Sequence, residues 1–336
     1  MNASSASGGW DVYTHIMPAA VITAGAGGLY GMLTDARTSR IYAHGIPPHP
    51  LPDTGALLDL IANNGLDGAI VSVPPPLFRP ALAASARASS TELANDGLLT
   101  ACHAQHSRLH PFPYLPIEDP ELAAKTVSQL STQSAGAIAG TELGTLCYAP
   151  ERFDPLQQAL SDAKLALFIH PGSSPDRRLD AFYLSNLLGN DWKRALRCQS
   201  HFSGLMHRFP ELKVILAHRG GCIAALSGHR QRGATTQRSG LPPLAMGPCR
   251  AVRRFYVDSV VQPPRFCRRS STSSVMTGFC SAATGRSPWG RRRTITISVR
   301  STSHFDGKFG KPAPTPSSGR GCIHKFPNGS THTART

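Results

Sequence analysis

The chain has 336 residues, of which 40% are hydrophobic and 16% are charged, and its formal net charge at pH 7 is +15. This length suits one large α/β domain, because α/β barrels commonly run to about 250 residues or more. The apolar runs are shorter than a membrane span, and the N-terminus lacks a basic region followed by a long apolar core. We therefore expect a cytoplasmic protein with no membrane partner. The eight cysteines form no CxxC pair, which argues against a disulfide framework.

The positive charge is confined to the last third of the chain. Residues 219–336 hold 20 of the 35 Lys and Arg residues, but only Asp258 and Asp306 among the 20 acidic residues. The first 218 residues therefore have a net charge of −3, as in an ordinary enzyme. The basic segment lacks interleaved aromatic residues and a recognised binding motif, so we expect no nucleic-acid partner.

Apolar runs with strand character alternate with helical patterns along the chain. Seven strands are predicted, at residues 10–15, 68–73, 111–117, 135–141, 165–169, 213–217 and 254–261. Helices are predicted at residues 54–64, 90–106 and 191–208, after the cap signals Asp119-Pro120 and Asp154-Pro155, and briefly near Ile223. The Gly- and Pro-rich stretch Ala24–Pro52 is predicted to be a long loop or lid.

This alternation predicts parallel strands joined by right-handed crossovers. The expected fold class is therefore α/β, in the form of a (β/α)8 TIM barrel. The eighth strand should lie between residue 263 and about residue 290, and no strand-like pattern is found there. We expect the eighth strand to be missing or disrupted.

Three predicted strands end in a histidine, at His15, His170 and His218. The carboxyl ends of barrel strands form the mouth where metal ligands and catalytic residues gather. One such histidine is more often a satisfied buried residue than a ligand. Three in one chain are hard to explain by packing alone, and they predict a site at the mouth.

The sequence around these histidines resembles the amidohydrolase superfamily, in its metal-dependent decarboxylase branch. That branch includes aminocarboxymuconate-semialdehyde decarboxylase and the salicylate- and resorcylate-type decarboxylases. The matching runs are Asp11–His15, Phe168–Gly172, Asp180–Asn186, Leu216–Gly221 and Arg254–Asp258. The resemblance implies a TIM barrel with a divalent metal ion, usually Zn²⁺. It implies that His15 and His170 are metal ligands and that His218 performs the proton chemistry.

Two features depart from the family pattern. Tyr13 stands where the first histidine of a His-x-His ligand pair is expected, and a neutral phenol is a poor zinc ligand because its ordinary pKa is about 10. The eighth-strand motif Gly-Ser-Asp-x-Pro is also absent. Among the other polar residues, Arg79 is expected to hold an acidic substrate. Asp258 is expected either to orient substrate or to cap a turn.

The missing motif can be recovered in another reading frame. If GC-rich codons are assigned to residues 265–289 and read two nucleotides later, a Gly-Ser-Asp-Trp-Pro sequence follows a helix-like and a strand-like run. We therefore interpret residues 1–264 as the amidohydrolase-like barrel domain. Residues 265–336 are interpreted as an aberrant, basic, low-complexity tail that we expect to be disordered.

The expected function is non-oxidative, metal-dependent decarboxylation of a small aromatic or muconate-type carboxylic acid, impaired in this chain. The first alternative is a metal-dependent hydrolase of the same superfamily, acting on an ester, lactone or amide. The second is a non-catalytic remnant. A homo-oligomer is a further expectation.

Overall fold

The structure is a computed structural model, and a part of the chain is described. The described residues are 10–31, 33–35, 40–43, 46–50, 54–105, 107–130, 134–141, 150–172, 207–239, 246–258 and 278–279. The predicted helix over residues 191–208 lies outside them apart from its last two residues.

Helices and parallel strands alternate along most of this part of the chain. The strands are β1 (Trp10–His15), β2 (Leu33–Asp35), β3 (Arg40–Ala43), β4 (Ile46–Pro50), β5 (Gly68–Ser72), β6 (Leu109–Phe112), β7 (Tyr114–Leu115), β8 (Gly136–Ala139), β9 (Ala166–Ile169), β10 (Val214–Leu216), β11 (Phe255–Val257) and β12 (Gly278–Phe279). The helices are α1 (Ala19–Ala26), α2 (Thr54–Asn63), α3 (Ala84–His103), α4 (Pro120–Leu130), α5 (Asp154–Asp162), α6 (Ile223–Thr235) and α7 (Pro248–Val252).

The parallel strands follow one another in chain order, as in a (β/α)8 barrel. One sheet has the order β1-β5-β6, and the other has the order β7-β8-β9-β10-β11-β12. Strands β5, β8, β9 and β10 are buried along their whole length, as expected where helices cover a parallel sheet. The predicted fold class is confirmed.

The third barrel position is split into β6 and β7 at Pro113. Proline has no N–H to give to a ladder, so the strand breaks there. The buried Asn95 of α3 bridges the break: its Nδ2 donates to the carbonyl oxygen of Tyr114 over 2.9 Å, and its Oδ1 accepts the Tyr114 N–H over 2.7 Å. A side chain thus replaces a strand partner, and the single predicted strand 111–117 was wrong in this respect.

An eighth strand is present, although the sequence pattern did not predict one. Strand β12 pairs in parallel with β11, through Tyr256 with Gly278 and Val257 with Phe279. Pairing uses main-chain groups, which every residue other than proline supplies, so two residues can join an edge without an apolar pattern. With two residues it is much shorter than β1, in agreement with the expectation of a missing or disrupted eighth strand. No pairing between β12 and β1 is found among the described residues.

The stretch Ala24–Pro52 is not simply a loop. It contains the end of α1 and an antiparallel sheet of order β2-β3-β4. Its prolines suggested a loop, yet Pro47, Pro48 and Pro50 lie in β4, the edge strand, where a missing N–H is tolerated.

Other predicted boundaries hold in part. Asp119 accepts the Leu122 N–H with its Oδ1 over 3.2 Å and so caps α4 as predicted. Asp154 does not cap α5, because the N-cap position is Phe153 and Asp154 lies inside the first turn. Helix α3 begins earlier than predicted, and α6 is a full helix of 13 residues.

Apolar side chains pack inside the barrel and between its strands and helices. Phe112, Ile138, Phe168 and Ile215 belong to one buried cluster that reaches α1–α3. A second cluster fills the space between β8–β11 and the helices that follow them. Within the described part of the chain, no helix combines the length and the apolar character needed to cross a membrane.

Candidate active site at the carboxyl ends of the strands

Strand β1 bulges just before it reaches the mouth. Asp11 pairs with Ala69 and Thr14 with Val71, so three steps along β1 match two along β5. The fully buried Asp11 stabilises this bulge, since its Oδ1 accepts the Tyr13 N–H over 2.8 Å and its Oδ2 accepts the Thr14 hydroxyl over 2.7 Å. A bulge redirects side chains, and here it positions Tyr13.

The hydroxyl of Tyr13 lies between two of the strand-end histidines. Its oxygen is 2.6 Å from Nε2 of His170 and 2.5 Å from Nε2 of His218. The aromatic ring of Tyr13 is also 5.2 Å, centroid to centroid, from that of His15. The fold thus brings together residues from β1, from the end of β9 and from the end of β10.

The positions of the protons on Tyr13, His170 and His218 follow from the carbonyl oxygen of Pro171, which accepts a hydrogen bond from His170. Nδ1 of His170 is 2.7 Å from the carbonyl oxygen of Pro171, which can only accept, so Nδ1 carries the proton. When the three side chains are uncharged, Nε2 of His170 must then accept a hydrogen bond from the Tyr13 O–H. The Tyr13 oxygen has one hydrogen and must therefore accept from Nε2–H of His218. The result is a directed chain from His218 through Tyr13 to His170.

His15 is not part of this series of hydrogen bonds. Its Nδ1 is 2.9 Å from Oγ of Ser72, which pairs with it in the β1–β5 register. Its Nε2 is buried and has no hydrogen-bond partner among the described residues. Burial, assisted by the positive charge that His218 can acquire, lowers the pKa of His15 from 6.5 to about 4. His15 is therefore uncharged at pH 7 and offers an acceptor into the site.

The turn that carries His218 is held by Asp258. His218 has a φ of 49°, an uncommon value for a residue with a side chain, and Gly220 and Gly221 follow with positive φ. Oδ2 of Asp258 accepts the His218 N–H over 2.8 Å, and Asp258 is fully buried. Of the two expected roles of Asp258, the geometry favours capping of a turn over contact with substrate.

We expect Asp258→Ala to lower the free energy of unfolding by about 2–3 kcal/mol, because a charge-assisted hydrogen bond is lost and a strained N–H is left unsatisfied. The matched variant Asp258→Asn keeps an acceptor and should cost about 1 kcal/mol or less. Urea denaturation followed by circular dichroism measures both. Equal losses for the two variants would show that the carboxylate acts elsewhere.

Arg79 lies in the segment that follows β5. It follows Phe78, whose ring stacks on Tyr114 at 4.7 Å and meets the ring of His170 edge-on at 6.3 Å. Arg79 is half-buried, and its side chain forms no hydrogen bond or ion pair with the residues that the structure describes. A cation in this position suits an acidic ligand.

The side chains do not fit the divalent metal ion that the resemblance implies. In the uncharged arrangement Nε2 of His170 accepts the hydrogen bond of the Tyr13 hydroxyl, and Nε2–H of His218 donates one to the Tyr13 oxygen. Only Nε2 of His15 keeps an open lone pair, whereas a catalytic zinc has three protein ligands. In the described ranges, no group of three His, Cys, Asp or Glu side chains could hold a metal ion. Metal ligation by His15 and His170 stays a prediction.

The site therefore joins the predicted histidines and Tyr13, with Asp258 hydrogen-bonded to the His218 N–H and Arg79 next in the chain to Phe78, which contacts His170. Sequence reasoning missed Asp11 and Ser72. Ser72 ends its strand as the histidines end theirs, so its position at the mouth could have been inferred. The role of Asp11 depends on a bulge, for which the sequence carries no signal.

Known proteins of similar sequence and fold are decarboxylases. Over 181 residues the chain is 29% identical to the gamma-resorcylate decarboxylase of Polaromonas sp., an alignment that covers 48% of this chain and 54% of that protein. The chain spans about half the length of the curated relatives that it matches. No family model matches it.

Two solved structures share the fold over most of the chain. The 5-carboxyvanillate decarboxylase of Sphingomonas paucimobilis has a TM-score of 0.66 at 22% identity, covering 83% of this chain and 89% of that one. The dihydroxybenzoic acid decarboxylase of Polaromonas sp., solved with bound manganese and the inhibitor 2-nitroresorcinol, has a TM-score of 0.63 at 17% identity, covering 82% and 86%. The predicted resemblance to the decarboxylase branch is confirmed.

Proposed function

We propose that this protein is a non-oxidative decarboxylase of small aromatic carboxylic acids whose activity is impaired in the chain as it stands. The observation that carries the proposal is the convergence of His15, His170 and His218 at one mouth of the barrel, around a shared hydroxyl. The similarity to gamma-resorcylate decarboxylase supports the class of substrate.

The reaction needs one proton at the carbon that loses carbon dioxide. A histidine at the end of the sixth barrel strand is a suitable donor, and His218 occupies that position. Its Nε2 proton is directed at the oxygen of Tyr13, however, and not into open space. This hydrogen bond is the structural basis of the proposed impairment.

The cofactor belongs to the same proposal. Related structures contain manganese, so a divalent metal ion is the cofactor class that the comparisons support, and Zn²⁺ stays a prediction. Because the side chains of this chain do not fit a metal ion while Tyr13 is in place, we assign no reaction step to one.

Arg79 is the residue proposed to bind the substrate carboxylate. We expect 2,6-dihydroxybenzoate to bind, and Arg79→Gln to weaken binding roughly tenfold or more, since hydrogen bonds to charged groups contribute about 1.5–3 kcal/mol. Isothermal titration calorimetry measures the affinity. The exposed Arg238, outside the mouth, provides the matched control Arg238→Gln, which should bind as the wild type does.

Two results would contradict this assignment: no binding of any hydroxybenzoate, or equal affinities for Arg79→Gln and Arg238→Gln. Turnover of an ester, lactone or amide with no release of carbon dioxide would favour the hydrolase alternative.

A further inference from the structure

We propose that the hydroxyl of Tyr13 takes the place of a metal ion in this site and excludes divalent metal by locking His170 and His218 into one hydrogen-bonded chain. Tyr13 would then be an active blocker of the metal site, and not merely a residue that fails to supply a ligand. This inference concerns metal binding, and it stands whether or not the protein decarboxylates any acid.

The position of Tyr13 is the first argument. Its ring lies 5.2 Å from that of His15, 5.2 Å from that of His170 and 5.3 Å from that of His218, measured between centroids. The hydroxyl oxygen is within hydrogen-bond distance of two of the three imidazoles. The space that the three imidazoles face is therefore filled by the side chain of Tyr13.

The direction of the protons is the second argument. The Pro171 carbonyl fixes the proton of His170 on Nδ1, which leaves the lone pair of Nε2 to the hydroxyl of Tyr13. His218 must then hold its proton on Nε2 to satisfy the Tyr13 oxygen. A metal ion can bind neither nitrogen until both hydrogen bonds are broken and His218 has changed tautomer.

His15 supplies the third argument. Its buried Nε2 has no partner among the described residues, so an acceptor remains in the site after the other two imidazoles have been paired. One nitrogen is too few for a stable site. Removal of the hydroxyl and ring of Tyr13 would free Nε2 of His170 and Nε2 of His218 from their hydrogen bonds, and the imidazoles would then have to shift to hold a metal ion, because as they stand no three of them are placed to do so.

The test is to titrate Mn²⁺ and Zn²⁺ into the full chain, with the wild type compared to Tyr13→Ala. We expect Tyr13→Ala to bind these metal ions at least about tenfold more tightly than the wild type, although alanine adds no ligand. In the wild type the metal ion must first break the hydrogen bonds of Tyr13 with His170 and His218, and each such bond is worth up to about a factor of ten in affinity. The matched control is the double variant Tyr13→Ala/His170→Asn, which should lose the gain and so exclude binding elsewhere on the chain.

The three possible roles of Tyr13 give different results. Equal metal affinity in the wild type and Tyr13→Ala would show that Tyr13 has no effect on metal binding. Weaker binding in Tyr13→Ala would show that the phenol is a metal ligand. Either result overturns the proposal. A gain that persists in the double variant overturns it as well.

A second measurement does not depend on the alanine variant. Nitrogen-15 NMR of the imidazoles at neutral pH should show His170 protonated on Nδ1 and His218 on Nε2, and both signals should shift in Tyr13→Phe, which removes only the hydroxyl. A wild-type protein with His170 protonated on Nε2, or a variant with unchanged signals, would overturn the proposal. Neither readout involves substrate turnover, so the result is independent of the proposed decarboxylase function.

Discussion

Release of carbon dioxide from 2,6-dihydroxybenzoate is expected to stay at the uncatalysed background, and Tyr13→His is expected to leave it there. The substitution restores the family residue in β1, but the aspartate of the Gly-Ser-Asp-x-Pro motif is still absent from the sequence. In the described part of the chain the eighth barrel strand consists of Gly278–Phe279 alone. The resemblance implies that this aspartate is a metal ligand, and a site without it lacks the metal-assisted part of the rate, which is worth several kcal/mol of transition-state stabilisation.

The measurement is a carbon dioxide assay with manganese or zinc added, and a gamma-resorcylate decarboxylase serves as the positive control. The wild type and Tyr13→His should both stay at the level of a protein-free blank. Measurable release from any aromatic or muconate-type acid by Tyr13→His would show that the site needs less than the family pattern implies.

Trypsin is expected to cut first within residues 265–300, and to leave a resistant core that ends soon after β11. Arginines are dense in that segment, and they cannot enter a barrel interior built from branched apolar residues. Among the described residues β12 does not pair with β1, so the edges of both strands are open to other chains, and we also expect the product to aggregate.

Mass spectrometry of the early fragments tests this result. The control is within the chain: Arg232 is exposed but lies inside α6, so cleavage there requires local unfolding and should be slower. A protein that stays monomeric and soluble while residues 265–300 resist trypsin would remove most of the support for the shifted reading frame.

The sequence was sufficient for the class of fold and for the location of the site. Parallel strands covered by helices must be apolar throughout, and that pattern can be recognised locally at 68–72, 166–169 and 214–216. A histidine at or just beyond the carboxyl end of a barrel strand lies at the mouth of the barrel. The positions of His15, His170 and His218 were therefore predictable from short segments.

Strand pairing was less predictable where it depends on the main chain alone. The pairing of Gly278–Phe279 with β11 and the antiparallel sheet β2-β3-β4 leave no periodic trace in their side chains. The break in the third barrel strand could have been predicted from Pro113. The hydrogen bonds of the Asn95 side chain to the main chain of Tyr114, which bridge this break, could not.

By itself, the sequence determined that three imidazoles would meet at the same end of an α/β barrel and that Tyr13 replaces the histidine expected beside them. Only the tertiary structure decided how they interact. Tyr13 is 157 positions from His170 and 205 from His218 along the chain, and a bulge held by Asp11 sets the direction of its hydroxyl. Hydrogen bonds depend on distances of a few tenths of an ångström, and such distances follow from the packing of the whole barrel and not from any local pattern.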